Sequence, residues 1–316
     1  MTRPAWPVAS GLALGLAVDA VLADPRRGHP VAGFGAVAAA LERQVHRDAR
    51  PAGVAYALAL TAGTAALGGV AQRALPGPGS RAALTALVCW SVLGGTSLRR
   101  EAMVLAGHLE ADDLPAARGR ISHLCGRDPA GLDAAGLARA TVESVAENTS
   151  DAVVAPLVWG ALAGVPGLLA YRAVNTLDAM VGHRSPRHER FGWAAARLDD
   201  LANLLPARLC AGLVVLGAPT VGGRPTQALR AWRRDGHKHP SPNAGPVEAA
   251  FAGALGRTLG GRLSYAGRVE DRALLGDGPA PGAADIARAV RLSAVVSVGA
   301  GVVAVGARLL LDRARR

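Results

Sequence analysis

Long uncharged stretches recur along this chain and alternate with polar segments. A helix of about 20 apolar residues crosses the hydrocarbon core of a bilayer. Repeated runs of this kind are typical of polytopic membrane proteins, although alanine raises hydropathy and a soluble alanine-rich helical protein is the alternative. The uncharged runs lie at 53–71, 82–98, 152–171, 209–223 and 292–307, with a sixth at 8–23 that only Asp19 interrupts.

The pattern predicts an all-α fold: a polytopic integral membrane helical protein with re-entrant or interfacial helices and amphipathic cytoplasmic helices. We expect one integral membrane domain over 1–316, with a retained first helix, since Asp19 argues against a cleaved signal peptide. Treating 152–171 and 201–221 as re-entrant or interfacial concentrates Arg and Lys on one side, which is expected of cytoplasmic loops. The predicted spans are 8–23, 53–71, 82–98 and 292–311, and the polar motif regions are 24–35, 99–151, 172–200 and 224–290.

Composition narrows the possible partners. The mean hydropathy is +0.24 and the net charge is +11, with 35 basic residues of which one, Lys238, is lysine. Aromatic residues make up 3% of the chain, too few for base stacking, so nucleic-acid binding is not expected. The three cysteines form no CxxC pair, and nothing calls for disulfides or structural zinc.

Carboxylates gather where an apolar run begins. Glu143, Glu147 and Asp151 are spaced by four residues, so on one helix they would share a face at the membrane border. Most other charges in 99–151 are expected to lie on solvated faces.

A near-repeat flanks the apolar run 152–171. Asn148-Thr-Ser-Asp151-Ala-Val-Val is followed by Asn175-Thr-Leu-Asp178-Ala-Met-Val. The break Val165-Pro166-Gly167 between them allows a hairpin that returns to its starting side. We therefore expect Glu147, Asp151, Asn175 and Asp178 to converge in one acidic pocket.

Two further polar motifs contain groups suited to metal and phosphate. In DPRRGHPVAGFG, prolines hold Asp24 and His29 at the end of the first helix. In RLDDLANLLPARL, Asp199, Asp200 and Asn203 supply the hard oxygen ligands that Mg²⁺ prefers; an Asp/Arg ion-pair network is the alternative. No P-loop, HExxH or nucleophile elbow occurs in the chain.

The segment RDGHKHPSPNAGPVEAAFAGALG places Lys238 between two histidines and before a stiff Pro-Ser-Pro-Asn turn. A helix is expected to follow, with Asn243 or Gly245 near its cap and Pro246 in its first turn. A basic loop that leads into a helix N-terminus suits a phosphate. A basic loop facing anionic lipid is the alternative.

These motifs together resemble the CobD/CbiB family of cobalamin-biosynthesis membrane proteins. The resemblance rests on DPRRGHPV, GRD, ESVAENTSDAVVAPL, YRAVNTLDAMVGH, FGWAAARLDDLANLLPARL and HKHPSPNAGPVEAAFAGALG, which cover nearly the whole chain in order. It implies an adenosylcobinamide-phosphate synthase of the cytoplasmic membrane, with its active site facing the cytoplasm. The implied reaction joins aminopropanol phosphate, or a related amino alcohol, to adenosylcobyric acid in an ATP-dependent amide bond, with Mg²⁺. The lipid bilayer and other cobalamin-pathway enzymes are the remaining expected partners.

The motifs and the resemblance together predict the following roles. The catalytic candidates are Glu143, Glu147, Asp178 and His29. The substrate- and phosphate-binding candidates are Arg127, Asn148, Asn175, Arg208, Lys238, His239, Ser241 and Asn243. The Mg²⁺ candidates are Asp24, Glu147, Asp151, Asp199 and Asp200. A transporter and a membrane sensor or scaffold are the alternative classes.

The hairpin hypothesis predicts that Asp151 and Asp178 face the same compartment. In a variant without the native cysteines, Asp151→Cys and Asp178→Cys should both be labelled by a membrane-impermeant maleimide from the cytoplasmic side only. Labelling of the two positions from opposite sides would exclude a re-entrant path.

Overall fold

Helices make up most of the structure, a computed structural model that describes residues 6–25, 28–126, 128–129, 131–183, 185–265 and 268–314. Its α-helices are α1 Trp6–Leu22, α2 Pro30–Val45, α3 Arg50–Ala74, α4 Pro78–Val92, α5 Gly95–Glu110, α6 Leu114–Ile121, α7 Ala134–Thr149, α8 Ala155–Ala163, α9 Val165–Leu177, α10 Trp193–Ala202, α11 Leu204–Gly217, α12 Pro225–Asp235, α13 Ala244–Leu255 and α14 Ala283–Ala314.

Four helical segments in the described part of the chain are long and apolar enough to cross a membrane: Arg50–Ala74, Pro78–Glu110, Leu204–Val221 and Ala283–Ala314. Trp6–Leu22 is a shorter apolar helix. The predicted all-α membrane fold is therefore confirmed. The segment predicted as re-entrant at 201–221 contains a helix that could cross the bilayer by its length and composition, so its path stays a prediction.

The helices pack into two compact units. Unit 1 comprises Met1–Gly94, Asp151–Asn203 and Ala300–Arg316. Unit 2 comprises Gly95–Ser150 and Leu204–Gly299.

In unit 1, α1 packs closely on α4 through two glycines. A Cβ atom added at Gly11 would lie 2.5 Å from the Cβ of Thr85, and one at Gly15 would lie 2.5 Å from the Cβ of Cys89. This is the small-xxx-small spacing that brings membrane helices together where lipid offers no hydrophobic driving force.

Helices α8 and α9 of unit 1 form a helical hairpin. The chain reverses at Gly164, which has a φ of +67°, and the Tyr171 hydroxyl donates to the Asp151 carbonyl at 3.0 Å. A Cβ at Gly167 would lie 2.2 Å from the Trp159 carbonyl oxygen, so glycine is required for this close approach. The predicted reversal is thus present beside Val165-Pro166-Gly167, and its depth in the membrane stays a prediction.

Helix α13 is the centre of unit 2, since all of its residues from Ala244 to Leu255 are buried. Nearby, a Cβ at Gly245 would lie 2.2 Å from the Gly236 carbonyl oxygen, so the chain entering α13 packs tightly on the turn before it.

An antiparallel hairpin, β1 Leu259–Tyr265 and β2 Arg268–Leu275, also belongs to unit 2. The sequence analysis did not predict it within the polar region 224–290. Two consecutive glycines in LGGRLSY and the run of charges in RVEDRALL leave little of the apolar–polar alternation by which a strand is recognised.

The close packing of α1 on α4 can be tested by Gly11→Val. The added methyl groups would collide with Thr85, and overpacking of this kind costs about 1–3 kcal/mol. Gly63→Val in α3 is the matched control, because a Cβ there meets no heavy atom within 4 Å. Thermal denaturation in detergent should show a lower midpoint for Gly11→Val than for Gly63→Val; equal midpoints would contradict the close α1–α4 packing.

Candidate functional site

Asp199 is the centre of a polar cluster in unit 1, which we call the acidic cluster (Tyr171, Asn175, Asp178, Asp199 and Asn203). Asn175 Nδ2 donates to Asp199 Oδ1 at 3.4 Å, and Asn203 Nδ2 donates to Asp199 Oδ2 at 3.0 Å. The Tyr171 hydroxyl also lies 2.9 Å from Asn203 Oδ1. The near-repeat motif on α9 and the LDD motif on α10 are thereby brought together. The predicted convergence of Glu147 and Asp151 with Asn175 and Asp178 stays a prediction.

The surroundings of Asp199 disfavour the presence of two ionised carboxylates, its own and that of Asp178, in this cluster. Burial, followed by the negative charge of Asp178, raises the pKa of Asp199 to about 7. The hydrogen bonds from Asn175 and Asn203 oppose that shift without cancelling it. Two acids held together in this way favour either a shared proton or a bound cation.

Arg172 is the nearby basic residue that the sequence analysis missed. Burial lowers its pKa, while the negative charges of Asp151 and Asp24 act in the opposite direction. Its Nη1 lies 3.5 Å from Asn175 Oδ1. Two predicted metal candidates, Asp24 and Asp151, therefore interact with a cation of the protein itself. The signal was available in the sequence, because Arg172 is the first charge after the apolar run 152–171.

Asp24 and His29 form a pair in the segment between α1 and α2, and their predicted metal and catalytic roles stay predictions. His29 Nε2 lies 3.4 Å from Asp24 Oδ2. The other ring nitrogen, Nδ1, accepts a hydrogen bond from the Val31 amide at 3.2 Å and so caps the helix. Asp200, in contrast, forms a 3.0 Å ion pair with Arg197 one turn away, which matches the ion-pair alternative for this residue.

No group of three or more His, Cys, Asp or Glu in the described residues is arranged to hold a metal ion. The predicted set Asp24, Glu147, Asp151, Asp199 and Asp200 is therefore not a ready-made metal cage. Mg²⁺ in phosphate-transfer sites often uses only one or two protein carboxylates, with phosphates and waters as the other ligands. Asp178 and Asp199 fit that sparser type of site.

The carboxylates of unit 2 lie in different surroundings from one another. Glu143 is buried and accepts a 2.6 Å hydrogen bond from the Gly260 amide at the start of β1. Glu147, in contrast, is exposed. The neighbouring Asn148 is turned back onto its own helix, where its Nδ2 donates to the Ser144 carbonyl at 3.0 Å. The continuous α-helix assumed for the spacing of Glu143, Glu147 and Asp151 ends at Thr149, because Ser150–Val154 forms a π-helical turn.

Asp235 organises the turn that carries Lys238. Its buried carboxylate accepts hydrogen bonds from Arg234 at 2.7 Å, from Lys238 at 2.8 Å and from the Gly276 amide at 2.9 Å. Burial alone would raise the pKa of Asp235, but the bonds from Arg234 and Lys238 lower it well below its usual range. Lys238 is thus already ion-paired, and its predicted contact with phosphate stays a prediction.

The turn before α13 is held by its own side chains. Ser241 Oγ accepts hydrogen bonds from the amides of Asn243 and Ala244, at 3.3 and 3.2 Å, so Ser241 holds the turn that leads into the helix. Arg208 Nη1 donates to Asn243 Oδ1 at 2.7 Å. The predicted helix start is confirmed, since α13 begins at Ala244 after Asn243. Arg127 lies outside the described residues.

The comparisons with known proteins agree with the resemblance seen in the motifs. The family described as CobD/Cbib protein matches residues 12–293. The chain is 56% identical over 297 residues to the cobalamin biosynthesis protein CobD of Mycobacterium tuberculosis strain H37Rv, covering 94% of this chain and 95% of that protein. Proteins of the same name from Stutzerimonas stutzeri and Rhodobacter capsulatus are 46% identical over 292 residues and 42% identical over 293. They cover 91% and 90% of this chain, and 92% of each relative is covered. No solved structure matches. The chain therefore belongs to the CobD/CbiB family.

The contacts of Asp235 predict how Asp235→Asn changes stability with pH. Its folded-state pKa is depressed, so its ionic contribution is fully present above the unfolded pKa of about 4 and is lost as pH falls toward the folded value. At pH 7 the substitution should cost about 1.5–3 kcal/mol, the range for hydrogen bonds to charged groups.

Thermal denaturation of both proteins in detergent between pH 7 and pH 3 measures this effect. The gap between their midpoints should shrink below about pH 4. A gap that is constant over the whole range would show that the Asp235 charge makes no such contribution.

Proposed function

We propose that this member of the CobD/CbiB family joins aminopropanol phosphate, or a related amino alcohol, to adenosylcobyric acid through an ATP-dependent amide bond. Membership of a family named for cobalamin biosynthesis gives the pathway. The observation that best supports the reaction is the acidic cluster, where Asp178 and Asp199 lie close enough for one charge to raise the pKa of the other.

A carboxylate and an amine do not condense usefully in water, so the propionate carboxylate of the corrinoid has to be activated. Transfer of the ATP γ-phosphoryl group to that carboxylate would give an acyl phosphate with a good leaving group. Catalysis of phosphoryl transfer depends mainly on positioning and on cations that stabilise charge on the phosphoryl oxygens. The proposed reaction therefore needs carboxylates for a cation in one place and donors for phosphate in another.

In unit 1, we assign Asp178 and Asp199 to the Mg²⁺ that accompanies ATP. Bound there, Mg²⁺ would neutralise charge on the phosphates of the nucleotide. Asn175 and Asn203 fix both oxygens of Asp199 in place. The charges of Asp24 and Asp151 act on Arg172, and Asp200 is paired with Arg197, so we expect these three carboxylates to balance arginine charge rather than to bind metal.

In unit 2, we assign the turn Ser241–Asn243 and Arg208 to the phosphate of the amino alcohol. This turn leads into α13, whose N-terminal amides and dipole favour an anion. The Asn243–Arg208 hydrogen bond holds a guanidinium at the same turn. We expect the reaction on the cytoplasmic side, where ATP is available and where the basic loops are predicted to lie.

A transporter is the second candidate, because Asp19 is buried within apolar helix α1 and ionisable residues inside membrane helices often mark transport pathways. Purified protein, assayed for synthesis in detergent and for uptake after reconstitution into vesicles, separates the two candidates. Incorporation of radiolabelled aminopropanol phosphate into corrinoid supports the ligase, and uptake into vesicles without incorporation supports the transporter.

Asp199→Asn tests the ligase directly. Loss of a metal ligand should lower product formation by at least about 100-fold, since even second-shell partners of metal ligands are worth 10- to 100-fold. The thermal midpoint should stay the same or rise, because the substitution removes one of two neighbouring like charges.

The matched control is Asp48→Asn, at an exposed position of unit 1, which should keep normal turnover. Product formation and its Mg²⁺ dependence are measured for all three proteins. Near-normal turnover of Asp199→Asn across the Mg²⁺ titration would exclude this assignment.

A further inference from the structure

Glu248 is a buried acid for which the proposed reaction has so far no use. It lies on α13, which is buried along its whole length, and the exposed fraction of its side chain is 5%. A carboxylate in such a place costs several kcal/mol unless it is paired and hydrogen-bonded. Its neighbours in the chain, Val247 and Ala249, are apolar, so the packing of this segment does not call for a polar residue. A reason for Glu248 therefore has to be sought in what it faces.

Glu248 faces the ring of His239. Its Oε1 lies 3.9 Å from His239 Nε2, and only 7% of the histidine side chain is exposed. A second charge approaches the same ring nitrogen from β2, where Arg272 Nη1 lies 3.1 Å from His239 Nε2. The other ring nitrogen, Nδ1, faces Ser241, 3.0 Å from its amide nitrogen and 3.4 Å from its carbonyl oxygen.

These distances allow two positions for the proton of a neutral imidazole. With the proton on Nε2, Nδ1 accepts the Ser241 amide hydrogen and Nε2–H points toward Glu248. With the proton on Nδ1, Nδ1–H points toward the Ser241 carbonyl and Nε2 accepts from Arg272, which has only donors. Glu248 favours a proton on Nε2, and Arg272 opposes one.

The charges around His239 come from each element that packs against its turn. Glu248 belongs to α13 and Arg272 to β2. Asp235 at the end of α12 is occupied by Arg234 and by Lys238 of the same turn. Glu248 and Arg272, which both approach Nε2, are thus of opposite sign, so one attracts and the other repels a proton at this nitrogen.

We infer that His239 accepts the proton released by the amine when the amide bond forms, and that Glu248 and Arg272 are the residues that position and tune it. The inference rests on the proposed function. The amine nitrogen donates its electron pair to the acyl carbon of the acyl phosphate, and the C–N bond forms. The bond between that carbon and the phosphate oxygen breaks and phosphate leaves with the electron pair. The nitrogen proton passes to His239 Nε2, where it replaces the hydrogen bond from Arg272. The same ring was predicted from the sequence to bind phosphate.

The experiment is the pH dependence of kcat/KM for product formation from pH 5 to pH 9. Activity should rise as the base loses its proton. Glu248→Gln removes an anion that stabilises the protonated ring, so the midpoint of the rise should move lower by about one pH unit. Arg272→Gln removes a cation, so the midpoint should move higher by a similar amount. A merely structural role would lower activity without moving the midpoint in opposite directions.

Glu110→Gln, at an exposed position of α5, is the control and should keep the wild-type midpoint. If Glu248→Gln does not fold, Arg272→Gln remains as the test, because Arg272 is only half-buried and its substitution should move the midpoint to higher pH. If the wild type is active and the folded variants have its pH midpoint, the inference about His239 is overturned while the proposed function stands. Absence of product from the wild type would overturn the proposed function and this inference together.

Discussion

A carboxylate removed from water has to be paired or hydrogen-bonded, and this constraint connects most of the distinctive features of the structure. The core consists largely of alanine, glycine, leucine and valine, which offer no partners to an acid. Glu143 is therefore satisfied by a backbone amide at the start of the β-hairpin, and Asp235 by an amide beyond its end. The two acids thus tie the β-hairpin to α7 and α12.

Small residues make these polar contacts possible. The turn around Gly236 can approach the start of α13 only because Gly245 has no side chain. That approach brings His239 beside the Ser241 turn and within 3.9 Å of Glu248. In unit 1, Gly167 has the same role in the helical hairpin, whose second helix carries Tyr171 and Asn175. The glycines that allow close packing of the backbone are therefore also what brings these polar side chains into place.

Local patterns predicted much of this fold. The apolar runs predicted the membrane helices, and the Val165-Pro166-Gly167 break marked the reversal between α8 and α9. The partners of buried groups could not be predicted in the same way. Glu143 and Gly260 are 117 residues apart, and no periodicity in the sequence links them. The ion pair between Lys238 and Asp235 could not be predicted either. The sequence shows that the two residues are three positions apart, but not that Asp235 is buried and therefore needs charged partners.

Asp199 and Asp235 show that burial alone does not identify a functional acid. Both are acids within the folded units, yet the pKa of Asp235 is depressed by its hydrogen-bond donors, while that of Asp199 is raised by burial and by Asp178. The surroundings of Asp235 favour its charged form and so contribute to stability, whereas those of Asp199 oppose the charge that a metal ligand needs. Proteins keep such local costs mainly where function requires them. A cation bound between Asp178 and Asp199 would relieve their repulsion, and this relief would add to its binding free energy. This pair is therefore a stronger candidate for chemistry than Asp235, whose charge already has its partners.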